Sequence, residues 1–247
     1  MPGYQPILLV LLVTGLLTLG PGPAHAMHIS EGILPASWAL FWFALSAPLL
    51  LLGLRTLRIR SAQEPQYKAL VGLVGAGIFV ISAMPVPVFT AGTCSHPCGT
   101  GIAAILIGPS VTVVLASIAL TLHALFLAHG GLTTLGANII TMGVVGSFVG
   151  YGIFIVAKRL GASWVVAAFL AGLLSDWATY SATSLILALG LHGDAALGRM
   201  FAGIAIAFVP TQVPLGILEG FMAAGAYRFV LNRRPEFLEL LPKGGVL

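Results

Sequence analysis

Residues 99–128, GTGIAAILIGPSVTVVLASIALTLHALFLA, decide how this chain is arranged. The run is apolar throughout. Taken as one crossing, it would put Lys158-Arg159 and the tail residues Arg228, Arg233 and Arg234 outside, against the tendency of basic loops to stay cytoplasmic. Gly108-Pro109 divides it, because proline lacks the backbone donor and disfavours helix in the residue before it. The division predicts a short piece near 99–108 that descends and a longer one at 110–128 that returns. All three basic clusters then share the inner side. At 1.5 Å per residue the short piece covers roughly 15 Å, about half the hydrocarbon core, so protein must surround it.

The bulk composition sets the same class. Of 247 residues 58% are hydrophobic and 7% charged, with a mean hydropathy of +1.05, values of an integral membrane protein. No polar stretch is long enough for a separate soluble domain. The net charge of +4 comes from clusters at the ends of apolar segments, which excludes a phosphate-tracking nucleic-acid surface. Working outward from 99–128, residues 36–54 and 69–84 form two crossings. Arg55, Arg58, Arg60 and Lys68 are expected in the loop between them. Spans at about 139–157, 163–190 and 200–227 follow, giving an all-α bundle of about seven membrane helices with its C-terminus inside. Gly72, Gly75 and Gly77 make a small-residue face suited to close helix packing, within the chain as the first reading or against a partner as the second.

At the N-terminus, residues 7–19 are a 13-residue apolar run broken by Gly20-Pro21-Gly22-Pro23 and followed by Ala24-His25-Ala26. That is the form of a secretory signal, although Met1–Pro6 lacks a basic residue; the other reading is an uncleaved anchor. The expected organisation is a signal peptide at 1–26, a membrane metal-binding domain at 27–231 and a short cytoplasmic tail at 232–247. Cleavage after Ala26 removes His25 and leaves a mature Met27-His28 start. The Met27 amine, the backbone nitrogen of His28 and its imidazole can then turn toward one ion. His96, in Ala91-Gly92-Thr93-Cys94-Ser95-His96-Pro97-Cys98-Gly99, falls on the same outer face and would supply a fourth nitrogen. Planar nitrogen sets favour Ni(II) or Cu(II), with Co(II) near them in the affinity order.

Cys94 and Cys98 are the only cysteines, and a disulfide, packed thiols and metal ligation are the three readings of the pair. A membrane thiol or redox protein built on them is the competing class. Asp176, Glu219 and His123 fall within spans, where an ionisable group is either an interhelical hydrogen bonder or part of a polar path. His129 and Asn138 flank a glycine loop and are expected to orient His28 or His96; His192 lies in the loop 190–199. HExxH, GxSxG and P-loop patterns are missing, so ATP hydrolysis would need another chain.

Met27-His28-Ile29-Ser30-Glu31-Gly32-Ile33-Leu34-Pro35, Ser95-His96-Pro97 and His129-Gly130-Gly131-Leu132-Thr133-Thr134-Leu135-Gly136-Ala137-Asn138 together resemble the CbiM/NikM family, the substrate-binding membrane subunits of energy-coupling-factor transporters for cobalt and nickel. The resemblance spans about residues 27–230. It implies seven helices, an N-terminal segment tucked into the bundle, and metal ligation by Met27, His28 and His96. It implies no tightly bound cofactor; the ion, Co(II) or Ni(II), is cargo. Implied partners are a membrane coupling subunit, ATP-binding cassette subunits and a small accessory membrane subunit. Ser-His-Pro followed by Gly-Thr-Gly is similar to the cobalt branch, whose uptake serves cobalamin synthesis. Two features depart from the family: the 26 residues before Met27, and Cys98 where a threonine is usual.

Overall fold

The computed structural model describes residues 25–26, 28–84, 86–88 and 93–233. Met27, the stretch 1–24 and the end of the tail lie outside the described residues, as does the side chain of Cys94. Seven helices follow one another: α1 Ala36–Gln63, α2 Pro65–Ser82, α3 Thr100–Ile107, α4 Pro109–Phe126, α5 over 135–159, α6 Trp164–Leu191 and α7 Leu197–Arg233. All but α3 are long and apolar enough to cross a membrane, so the chain is a multi-pass membrane protein. Residues 139–146 of α5 are wound as a π-helix. In the loops beside these helices β1 (His25–Ala26) runs parallel to β3 (Thr93–Ser95), which pairs on its other edge, antiparallel, with β2 (Val86–Val88).

The break at Gly108-Pro109 falls where the sequence places it, and contacts along the helices establish the alternation. The carbonyl of Ile107, at the end of α3, accepts from Tyr67 Oη (2.8 Å) at the start of α2 and from Arg60 Nη1 (3.1 Å) near the end of α1. At the other end of α3, Gly99 packs against Ile78 and Ile81 near the end of α2. The bundle therefore descends through α3 and returns through α4, whose His123 Nε2 reaches the carbonyl of Phe79 at 3.3 Å. All eight residues of α3 are buried, so protein rather than lipid covers this half-length helix. Small residues permit the close approach: Gly150 lies against Gly101, which in turn lies against Ser175. Lys158 Nζ sits 3.9 Å from the ring centre of Trp164, which stacks on Tyr227, so Lys158 lies at the same end of the bundle as Arg228 and Arg233, with Arg199 at the opposite end of α7.

Two expectations need correction. Arg55, Arg58 and Arg60 are not in a loop: α1 continues through Gln63, Glu64 alone makes the turn, and Lys68 is already in α2. Arginine is a good helix former, so the helix need not stop where the apolar run does. Of the three glycines proposed as a packing face, only Gly75 meets a neighbour, Leu115; no atom comes near a Cβ at Gly72 or Gly77.

Gly53 is where α1 crosses α4. A Cβ there would lie 2.3 Å from the carbonyl oxygen of Ser110 and 2.7 Å from Val114 Cγ2. Gly53→Ala is expected to destabilise the bundle by about 1–3 kcal/mol, the usual cost of overpacking. Thermal unfolding in detergent measures it; an unchanged melting temperature would show that the two helices separate freely.

Candidate metal-binding site

The segment 28–34 is threaded back against the bundle. Ile29 and Leu34 pack with Trp42, Ala137, Ile140 and Ile186, each buried side chain contributing roughly 1.5–3 kcal/mol. Asn138, at the head of α5, clamps the backbone beside His28: its Oδ1 accepts from Ile29 N at 2.9 Å and its Nδ2 donates to Ile29 O at 3.2 Å. The Thr134 hydroxyl donates to the same carbonyl. Thr133 N donates to Glu31 Oε2 at 3.1 Å, and hydrogen bonding to Thr133 holds the Glu31 carboxyl below its ordinary value. Gly130 and Gly131 make room, since a Cβ at Gly131 would sit 2.5 Å from the backbone of Glu31 and one at Gly130 2.9 Å from His28 Cβ.

The His96 loop is held from the other side. Ser95 Oγ is hydrogen-bonded to Tyr180 Oη at 2.8 Å and also accepts from Gln212 Nε2; Tyr180 Oη reaches the His96 carbonyl at 3.4 Å. β1 lies parallel to this loop in the register His25↔Thr93, Ala26↔Cys94, and His28 stands beside His96. Their ring centres are 4.6 Å apart.

His129 joins them, 4.6 Å from His28 and 4.9 Å from His96 by ring centre. His28, His96 and His129 can each offer a ring nitrogen within 4.8 Å of the others. His123 stands behind, its ring 5.8 Å from both His28 and His129. Among the described residues Nε2 of His28, His96 and His129 has no hydrogen-bond partner, nor has Nδ1 of His123. At His96 the partner of Nδ1 is the Pro97 carbonyl, 3.0 Å away, which can only accept; Nδ1 therefore carries the proton and Nε2 keeps its lone pair. Burial, with the neighbouring imidazoles, holds His28 well below its ordinary value and His129 at about 4. Burial and His129 bring His96 to about 3. Neutral imidazoles are the form that ligates a metal.

Of the expected ligands, His28 and His96 meet in one buried cluster, while Met27 lies outside the described residues. His129 comes as close to His28 as His96 does. Its signal in the sequence was its place just past α4 beside two glycines. His123 makes the expected interhelical bond and also faces the cluster. Two residues beyond His96, the Cys98 N–H donates to Glu219 Oε2 at 2.7 Å and Gly99 N–H to Glu219 Oε1 at 3.0 Å, so Glu219 caps α3. Burial, with Glu219 and Asp176 beside it, pushes the Cys98 thiol well up, which disfavours the nucleophilic thiolate that a thiol enzyme would need.

A buried histidine cluster at one end of a seven-helix membrane bundle defines a membrane protein for transition-metal uptake. More narrowly, the chain belongs to the CbiM family: residues 28–237 match the family described as the cobalt uptake substrate-specific transmembrane region. It is 58% identical over 215 residues to the cobalt transport protein CbiM of Sorangium cellulosum, covering 87% of this chain and 96% of that one. It is also 58% identical over 226 residues to the cobalt transport protein CbiM of Geobacter sulfurreducens, covering 92% of this chain and 64% of the relative. A crystal structure of a truncated transition-metal transporter shares the fold, with a TM-score of 0.72 at 24% identity over 83% of this chain and 98% of that one.

Gly131→Ala tests how the N-terminal segment is seated. The added methyl collides with the Glu31 backbone and should lift residues 28–31 away from His96 and His129. Cobalt accumulation by cells should fall about 10–100-fold, the range seen when the support of a metal ligand is lost, with the protein still present in membranes.

Proposed function

We propose that this protein is the substrate-specific subunit of an energy-coupling-factor transporter, which captures Co(II) with high affinity outside the cell and imports it for cobalamin synthesis. The observation that carries the reading is the trio His28, His96 and His129: the first two buried and the third half-buried, all neutral, each with a ring nitrogen that has no partner among the described residues, and close enough for one ion. In this reading Met27 supplies its amine, His28 its backbone nitrogen and imidazole, and His96 a further imidazole. His129 is a fourth side of the same pocket. The donor set depends on cleavage after Ala26, since an uncleaved Met27 has an amide in place of an amine.

The bundle sits in the inner membrane with its mature N-terminus and the histidine end outside. The basic clusters at 55–68, 158–159 and 228–234 lie inside with the tail 232–247. Import then requires partners that hydrolyse ATP and reorient the subunit: a membrane coupling subunit, ATP-binding cassette subunits and a small accessory membrane subunit. The protein itself is a transporter subunit without catalytic residues.

Inserting one glycine between Ala26 and Met27 moves the new amine one residue away from His28 while leaving every side chain in place. Cobalt uptake should be lost from cells whose membranes still hold the variant at the normal level. Unchanged uptake, with N-terminal sequencing that shows the inserted glycine as the first residue, would sink the ligand assignment. Protein purified from cells given equal cobalt and nickel should carry predominantly cobalt; equal loading would overturn the choice of cargo.

A further inference from the structure

Beneath the histidine cluster lies a second group of metal-type donors: Cys98, Asp176 and Glu219. All three are buried, and each offers one ligand atom within 4.8 Å of the others. They come from three places, the loop before α3, the middle of α6 and the middle of α7. Glu219 receives the N–H groups of Cys98 and Gly99. Asp176 Oδ1 faces Cys98 Sγ at 3.7 Å, and Asp176 Oδ2 has no hydrogen-bond partner although the residue is fully buried. None of these contacts brings a positive charge to the two carboxyl groups. Gly216 packs against the Trp177 indole, with Asp176 Oδ2 next to it: a Cβ there would lie 2.4 Å from Trp177 Nε1 and 3.2 Å from that oxygen. An acid in a membrane bundle with one oxygen unpaired is costly unless something binds to it.

We propose that Cys98, Asp176 and Glu219 form a second, interior station for a divalent transition-metal ion. One thiolate and two carboxylates make a mixed set suited to a borderline ion such as Co(II) or Zn(II). Donors around a tetrahedral ion stand about 3.3–3.8 Å apart, given metal–ligand bonds of roughly 2.0–2.3 Å. The Cys98–Asp176 pair already stands at that separation, and the other pairs lie within 4.8 Å. On binding, the thiol proton and any proton held by the two carboxyl groups leave to solvent as the metal bonds form, and the ion's two positive charges offset two of the three negative ones left. His96 and Cys98 are separated by Pro97 alone, so the station lies one short step inward from the histidine trio. Its place on a transport route, as the stop after that trio, rests on the proposed function; its capacity to bind metal does not.

The test is a Co(II) titration of the full-length protein, purified from membranes and carrying Cys94→Ser so that Cys98 is the only thiol. Two equivalents are expected, one of them giving the near-ultraviolet thiolate-to-cobalt charge-transfer band. Adding Asp176→Asn, which keeps shape and removes charge, should weaken the band-forming equivalent about tenfold or more and spare the other. Glu219→Gln serves as a second variant, and retention of the bandless equivalent shows that each variant has folded. His96→Ala should remove the bandless equivalent and leave the band. A single bandless equivalent overturns the inner station while leaving the histidine reading intact. A single equivalent that shows the band and is abolished by His96→Ala also overturns it, by placing Cys98 in the histidine site. A band whose affinity ignores both Asp176→Asn and Glu219→Gln overturns it too.

Discussion

Everything in this fold turns on closing the two ends of α3. An eight-residue helix inside a membrane bundle leaves unpaired N–H groups at its start and unpaired carbonyls at its end, with no water at that depth to take them. Glu219 takes the N–H of Gly99, the cap of that first end, and of Cys98 just before it. Arg60 and Tyr67 answer the second through the carbonyl of Ile107. The signs also suit the helix dipole, with an acid at the positive end and a guanidinium at the negative end. Glycines and alanines then let α5 and α6 close around it.

Because the loop that carries His96 runs directly into α3, whatever fixes that helix fixes the pocket. Glu219 holds residues 98–99, and Tyr180 and Gln212 hold Ser95 and the His96 backbone, so α6 and α7 position an imidazole that neither helix carries. Asn138 does the equivalent for the N-terminal segment, gripping Ile29 through both its N–H and its carbonyl. The pocket is thus assembled from a threaded N-terminal segment, a loop and the end of α4, each pinned by a different helix. Burial keeps the imidazoles neutral and ready to bind, a benefit gained by excluding water from a site that must first admit an ion from it.

The helical organisation was legible because lipid imposes it: apolar runs of the right length, a proline-marked break and the sidedness of basic residues. Where α1 ends was not legible, since the apolar run stops before the helix does. Glu219 and Asp176 were visible only as isolated acids in apolar spans. Nothing in their spacing told that one caps α3 and that the other faces Cys98, because those partners are 78 to 121 residues away in sequence.

The sequence by itself determined the class of protein, the order of its crossings, the division at Gly108-Pro109, and His28 and His96 as partners on one side. These follow from local rules of hydrophobic length, backbone chemistry and charge. Only the tertiary structure decided that His129 stands as close to His28 as His96 does, that His123 faces the same space, and that Cys98 meets two acids. Those distances arise from how α4, α6 and α7 pack around a short buried helix, and packing of that kind joins residues that no local pattern connects.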